Sequence, residues 1–378
     1  VKFRSYGIPA IIVAIILTIG GAAYLTSRLF SDLTNSVEQS RFAIMQQIMQ
    51  TALNDAGSKA LARAELVADM PEVKRLFAAR DRAGLMATLK TAFEDQKARY
   101  GIAQGQFHIA PATSFLRLHA PDTFGDDLTK FRPLVVAANR DHLPMKAVAI
   151  GKSGPAIFGI TPVDDESGHA LGTFEFGLAF EPMLASLKNA YGLDFALFID
   201  EKPLIEFATG VDPEKLGEQN RVGKFIRFES TNTELMSALV VAQDLAALSE
   251  PAPLVRDFNG LARGVMLLPI NNASGTMIGV LAAAADFSGT RAAASQSAIW
   301  QGVITFIAIL MLSGFVIVVL NGYLLRPLQL LADRFAALSK GDPVAAIADS
   351  ERFPNELRPM VEVLDQLSGQ QNDTGSKA

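Results

Sequence analysis

An α+β protein is the fold this sequence predicts, with two tandem modules on a long helix, set between two membrane-spanning helices and followed by a further helix pair. Three observations predict it: two long uncharged apolar runs, an intervening segment of about 270 residues, and a hairpin pattern repeated inside that segment at a constant offset of 107 residues. Of the 378 residues 49% are hydrophobic and only 19% are charged, against about 25% for soluble domains, and the mean hydropathy is +0.24. That balance argues against a purely soluble chain. The formal charge of -5 removes the broad basic surface that a nucleic-acid binder needs. Cysteine is absent, which excludes disulfides, thiolate catalysis and Cys-based zinc sites and fits an exported domain.

The first apolar element, residues 6–27, follows a cytoplasmic N-terminus of residues 1–5. No charge falls between Arg4 and Arg28, and at 1.5 Å per residue the run 8–25 is long enough to cross about 30 Å of hydrocarbon. A secretory signal peptide is the rival reading, but the run exceeds a usual apolar core and no small-x-small cleavage site follows it. The second span occupies 298–325. Lys2 and Arg4 flank the first span, and Arg326, Arg334 and Lys340 follow the second, so the positive-inside rule places both termini in the cytoplasm. Tyr24 and Trp300 fall at the expected outer interface, Tyr6 and Tyr323 at the inner one. A loop of about 270 residues between spans is too long for a connector and must fold.

Residues 28–100 read as stalk and long helices: Leu33, Val37, Ile44, Ile48 and Leu53 lie near one face, Gly57 interrupts, and Pro71 opens a new helix in its first turn. Short strands are expected in a first module, 101–190, at 106–109, 114–119, 145–150, 156–161 and 171–179. A second module, 191–297, has strand candidates at 195–199, 204–207, 224–229, 238–243, 264–268 and 277–285. Pro162, Ser167, Gly168, Gly172 and Phe180 recur as Pro269, Ser274, Gly275, Gly279 and Phe287, all displaced by 107. One strand-loop-strand pattern held in register through these positions implies duplication of one α+β module.

A long helix feeding two such modules between two spans resembles the double Cache sensor domains of bacterial receptors, whose modules are PAS-like. Phe107-His108, the run from Ser114 to His119, Pro121, Phe124-Gly125-Asp126-Asp127-Leu128 and Phe131-Arg132 look like the signature of one subgroup found in chemoreceptors and sensor kinases. Gly151, Gly154, Gly159, Pro162 and Glu175-Phe176-Gly177 continue it. The resemblance also implies a Glu before Ile150 and an Arg before Gly159, where this chain has Ala149 and Phe158. It therefore implies a ligand less polar or less zwitterionic than its relatives bind, or sensing through a partner protein. It places the modules outside a bacterial inner membrane.

After the second span, Leu328, Leu331, Phe335 and Leu338 recur at heptad spacing, Lys340-Gly341-Asp342 stops the helix, and Leu357, Met360, Leu364 and Leu367 repeat the spacing. Asp333, Asp342 and Asp349 replace the basic face of a membrane-surface helix. Residues 326–368 resemble a HAMP linker, with Pro327 and Glu356 at its marked positions, which implies a homodimer pairing as a parallel four-helix bundle. Residues 369–378 read as a disordered tail.

No phosphate-binding loop, dinucleotide fingerprint, zincin motif or nucleophile elbow occurs, so no enzyme, cofactor or metal is expected. The candidate ligand residues are His108, Arg117, His119, Arg132 and Glu175, the polar groups concentrated on the first module's strands. Arg117 and Arg132 either clamp a carboxylate or pair with Asp126, Asp127 or Asp141. Two functions compete. One is a receptor for a small organic molecule that signals to a cytoplasmic output domain or protein; the other is a membrane-anchored dimer that holds a solute or an assembly without signalling.

Overall fold

The computed structural model describes residues 3–375 except 341, 343, 346 and 348–352, so Lys2, Gly341, Asp349 and 376–378 lie outside the described residues. Two compact units divide the chain, Asn35–Arg291 and Val1–Thr34 with Ala292–Ala378.

Helix α1 spans Phe3–Ala68. Its core face in the larger unit is Phe42, Met45, Met49, Ala56, Ala60 and Ala64, whereas Val37 and Ile44, on the apolar face read from the sequence, are exposed, Ile44 by 56%. Apolar residues cover two faces of this helix, and the face with small side chains is the one that docks. Close approach decides it: a Cβ on Gly159 would lie 2.0 Å from the Leu61 backbone nitrogen. Gly57 does not interrupt the helix. The stem of Lys146 crosses it, and the Lys146 ammonium donates to Asn54 Oδ1 and Ser58 Oγ, both at 2.7 Å. Helix α2 (Pro71–Ala78) starts with proline in its first turn as expected. Helix α3 (Arg82–Tyr100) is capped by Asp81 and ends at Gly101 with φ of 70°.

The first sheet contains β1 (Ile102–Ile109), β2 (Thr113–Arg117), β3 (Met145–Gly151), β4 (Gly154–Asp164) and β5 (Ala170–Ala179), in the order β2-β1-β5-β4-β3. Helix α4 (Pro133–Asp141) covers one face, and α5 (Phe180–Tyr191) leads to the second module. There follow β6 (Asp194–Asp200), α6 (Glu201–Phe207), β7 (Arg221–Val222), β8 (Phe225–Ser230), α7 (Thr233–Leu239), α8 (Ala242–Ala246), β9 (Ala252–Phe258), β10 (Leu261–Asn271) and β11 (Met277–Asp286). This sheet runs β7-β8-β6-β11-β10-β9, the order of the first sheet with one added edge strand.

The duplication extends to individual hydrogen bonds. Pro162 faces Thr173 across β4 and β5, and Pro269 faces Val280 across β10 and β11, at the same offset. In the loops Asp165 Oδ1 accepts from the Ser167 and His169 amides, and Asn272 Oδ1 accepts from those of Ser274 and Thr276. Gly168 and Gly275 take φ of 82° and 78°, which explains why both copies carry glycine there.

Two expected strands are helices. Segment 204–207 belongs to α6, started by Asp200 accepting from the Lys202 amide, and 238–243 falls across α7 and α8, started by Asn232 accepting from Leu235 and Asp244 accepting from Val241. Local capping overrides the short apolar runs there. Strand β9 was not anticipated. At the end of the unit Arg291 makes a two-point ion pair with Glu38 at 2.7 and 3.0 Å, while Arg41 lies over Phe287 with 4.7 Å to the ring centre.

In the other unit, helix α9 covers Ser288–Val319. Tyr6–Ala68 and Ser288–Ser339 each contain a stretch long and apolar enough to cross a membrane. Gln301 donates to the Ala23 carbonyl at 2.9 Å. A π-helical turn occupies Leu320–Leu325, just ahead of Pro327, which has no amide hydrogen to continue an α ladder. Helices α10 (Arg326–Ser339) and α11 (Arg358–Gly375) pack through Leu331, Val361 and Leu364 together with Val344 of the connector. Residues 369–375, expected as part of a disordered tail, fall within the backbone of α11.

Candidate functional site

Strands β1 and β5 pair so that Gln106 faces Glu175 and His108 faces Thr173. Alternation along each strand puts these four side chains on one face, toward α4. Arg132, the residue before α4, reaches the same face, and its Nη2 ion-pairs with Glu175 Oε2. Glu175 is fully buried and Arg132 is 4% exposed. Asn139 donates to Thr173 Oγ1 at 3.2 Å, Thr173 Oγ1 lies 3.3 Å from His108 Nδ1, and His108 Nε2 stands 3.6 Å from Glu175 Oε1. With the threonine hydroxyl donating to Nδ1, the imidazole carries its hydrogen on Nε2, facing the carboxylate. The Nε2 and Oε1 atoms, and Nε of Arg132, have no hydrogen-bond partner among the described residues.

Phe158 stands where the resemblance implied an arginine. Its ring is fully buried, and the Arg132 guanidinium lies 4.2 Å from its centre. Gly177 makes room for it, since a Cβ there would come within 2.6 Å of the ring. The positive charge of this face thus comes from the α4 entry loop instead of β4. Ala149 lines a cavity instead of supplying a carboxylate.

Arg117, on β2, is 2% exposed and holds Asp126 at two points, 2.8 and 2.7 Å, with Lys152 Nζ 3.8 Å from the same carboxylate. Arg117, Asp126, Lys152, Gln106 and Arg132 line a cleft of about 160 Å³, closed by Glu206, Phe207 and Thr209 of the second module. Asp126 is therefore the partner of Arg117 among the three acids considered, and Arg132 pairs with none of them. His119 stands apart from this cluster. Its Nδ1 lies 3.3 Å from both the amide and the carbonyl of Gly105. Lys152, Phe207 and Thr209 were not anticipated: Lys152 follows Gly151 at a strand end, and the other two sit in or after a segment expected to be a strand.

Burial pushes His119 down to about 4 and His108 well below its ordinary range, helped in both by the positive charges of Arg117 and Arg132. Burial raises Glu175 against the pull of Arg132, and Arg117 lowers Asp126. Both imidazoles are neutral in the fold, whereas an unfolded histidine titrates near ~6.5. Below that pH the unfolded chain binds the additional protons, so stability is full above about 6.5 and declines as pH falls toward 4. Glu175 works in the opposite direction, contributing more as pH falls. Thermal melts between these pH values are expected to show a falling midpoint, and His119→Gln is expected to flatten the decline. An unchanged slope in that variant would contradict the assignment.

Two tandem sheets of one topology, the first with a buried charged cluster beside a cleft, are the architecture of a double sensory domain. Residues 36–288 match the family described as the double sensory domain of two-component sensor kinase, dCache_3, and the chain belongs to that family. No curated protein sequence matches the chain. Among solved structures, it is similar to the ligand-binding domain of the Campylobacter jejuni chemoreceptor Tlp3 in complex with L-valine, at 10% identity, TM-score 0.42, covering 71% of this chain and 98% of that one. It is also similar to the periplasmic domain of Vibrio cholerae LuxQ, at 9% identity, TM-score 0.35, covering 68% and 99%, and to the sensor domain of E. coli DcuS, at 20% identity, TM-score 0.28, covering 36% and 98%.

Proposed function

We propose that this chain is the input portion of a homodimeric receptor in the bacterial inner membrane, with residues 28–297 outside and both ends of the chain in the cytoplasm. A small organic molecule binds in the first module's cleft, and α9 relays the change to the HAMP-like pair α10 and α11 and on to a cytoplasmic output domain or protein. The observation that carries this reading is the buried Arg132–Glu175–His108 cluster with the adjoining cleft, because three uncommitted polar atoms in a buried sheet face are a poor device for stability alone. Arg117, Arg132 and Lys152 supply positive charge at the cleft, with His108 and Glu175 setting the position of Arg132 behind it. His119 is proposed to support β1 and not to touch the ligand.

Dimerisation is supported by apolar residues left uncovered. Met360 and Leu367 are 44% and 46% exposed, while Leu364 on the same helix is fully buried within the chain. Single cysteines at Met360 or Leu367 are expected to cross-link between subunits in membranes much faster than cysteines at Leu331 or Leu364. The chain has no cysteine of its own to confuse the result. Equal rates at the two sets would remove the parallel bundle. A cytoplasm-only fluorescent reporter is expected to light up after Ala378 and stay dark after Gly210; the reverse would overturn the topology.

A further inference from the structure

The cleft does not end at Phe131 and Phe207. These two rings meet at 4.5 Å between centres, one from each module, and on their far side lies a second chamber of about 340 Å³. It is twice the size of the polar lobe and falls at the lower end of small-molecule sites, roughly 300–1,000 Å³. Its walls are Leu134, Ala149 and Ile150 from the first module and Pro203, Met277 and Ile278 from the second. Ala149 is small where a long acidic side chain would fill the space.

Three residues lining this apolar chamber carry donors without an acceptor among the described residues. Arg132 lines it and has an orphaned, buried Nε. Leu134 also lines it, and its amide, in the uncapped first turn of α4, has no acceptor among the described residues. Lys202 of α6 lines it too, and its ammonium has no acceptor among the described residues. The helix terminus adds partial positive charge to these groups. Of the two acids present, Asp200 is engaged by the Lys202 amide at 3.1 Å and lies 3.5 Å from Lys224 Nζ, while Glu206 is exposed at the rim. A free rim carboxylate repels a second negative charge on a ligand.

We infer that the chamber between the modules binds a small monocarboxylate with an apolar or aromatic body, its carboxylate on Arg132, the Leu134 amide and Lys202, and its body between the two modules. This rests on the receptor reading, because it assigns the ligand class to the apolar extension of the same cleft. A dicarboxylate meets Glu206, and an uncharged analogue leaves the donors unpaired. Because the walls come from both modules, occupancy changes how the first module packs on the second, and the second continues into α9.

The probe is 3-phenylpropanoate, titrated calorimetrically into the full chain in nanodiscs, beside 3-phenylpropanamide and phenylmalonate. The monocarboxylate is expected to bind, with the amide and the dicarboxylate each weaker by about tenfold or more, the scale of a charge-assisted hydrogen bond. Ala149→Phe, which fills the chamber from the first module, and Ala273→Trp, on the exposed hairpin loop of the second, are each expected to abolish binding. Two variants on different modules guard against a folding defect in one, and the melt of each unliganded protein reports it. Equal affinity for the amide, undiminished binding in both variants, or no binding of the monocarboxylate overturns the inference. If polar metabolites still bind in an Arg117-dependent way while 3-phenylpropanoate does not, only the ligand class fails. If nothing binds, the receptor reading fails with it.

Discussion

Gly159→Ala is expected to unseat α1 from the first sheet. The added methyl would stand 2.0 Å from the Leu61 nitrogen, 2.3 Å from its Cα and 2.5 Å from the Ala60 carbonyl carbon. Every one of those atoms is helix backbone, so no side-chain rotation relieves the clash and either helix or strand must move. Overpacking a core usually costs about 1–3 kcal/mol, and a backbone clash of this depth belongs at or above the top of that range. Gly57→Ala on the same helix is the control. There the methyl meets only the flexible stem of Lys146, at 3.1 Å, and the helix gains about 0.8–1 kcal/mol in propensity. A much larger loss for Gly159→Ala than for Gly57→Ala in thermal melts of the full chain is the expected result. Equal, small effects would mean that α1 does not lie against β4 as described.

Glu175→Ala is expected to destabilise the first module by about 3–5 kcal/mol, because it leaves the Arg132 guanidinium buried without its counter-charge. The double substitution Glu175→Leu with Arg132→Met is expected to recover most of that loss, since well-packed apolar residues replace a buried ion pair with little change or a gain. Recovery of stability together with loss of ligand response would separate the role of the pair in recognition from its role in folding. If Glu175→Ala were neutral, the carboxyl would not be the partner of Arg132, and the electrostatic account of this face would fall.

Much of this architecture was legible because turns constrain residue choice tightly. The loops after β4 and β10 need a side-chain acceptor first and a glycine at positive φ fourth, so the two copies kept Asp165 and Gly168, Asn272 and Gly275, at one offset. Helix α6 was misread because Leu204 to Phe207 is too short for periodicity to decide; the deciding signal was Asp200 as a cap. Periodicity alone does not say which face of α1 docks. Large apolar residues such as Val37 and Ile44 lie on an exposed face, while the docked face runs from Phe42, Met45 and Met49 into Ala56, Ala60 and Ala64, small residues that carry little hydrophobic signal.

The candidate site was half legible. Three of its residues, His108, Arg132 and Glu175, converge through strand alternation and one cap position, and Arg117 joins them at the cleft. His119 does not, since its neighbour is the Gly105 backbone. The contribution of the second module had no sequence signature, because Phe207 and Thr209 meet the cleft only through packing between modules. Phe158 stands where the resemblance implied an arginine, and the Arg132 guanidinium lies over its ring.

The central claim is that the cleft lined by Arg117, Arg132 and Lys152 holds the ligand, and the most direct measurement is a thermal-shift screen of the full chain in nanodiscs against small metabolites. A ligand at a hundred times its Kd stabilises by about 2.7 kcal/mol, a shift readily seen. The account predicts that a subset of compounds raises the wild-type Tm and that Lys152→Gln and Arg117→Ala reduce the effect, the latter weakening binding by about 1.5–3 kcal/mol. Shifts that survive both substitutions undiminished, or no shift with any compound, would contradict it.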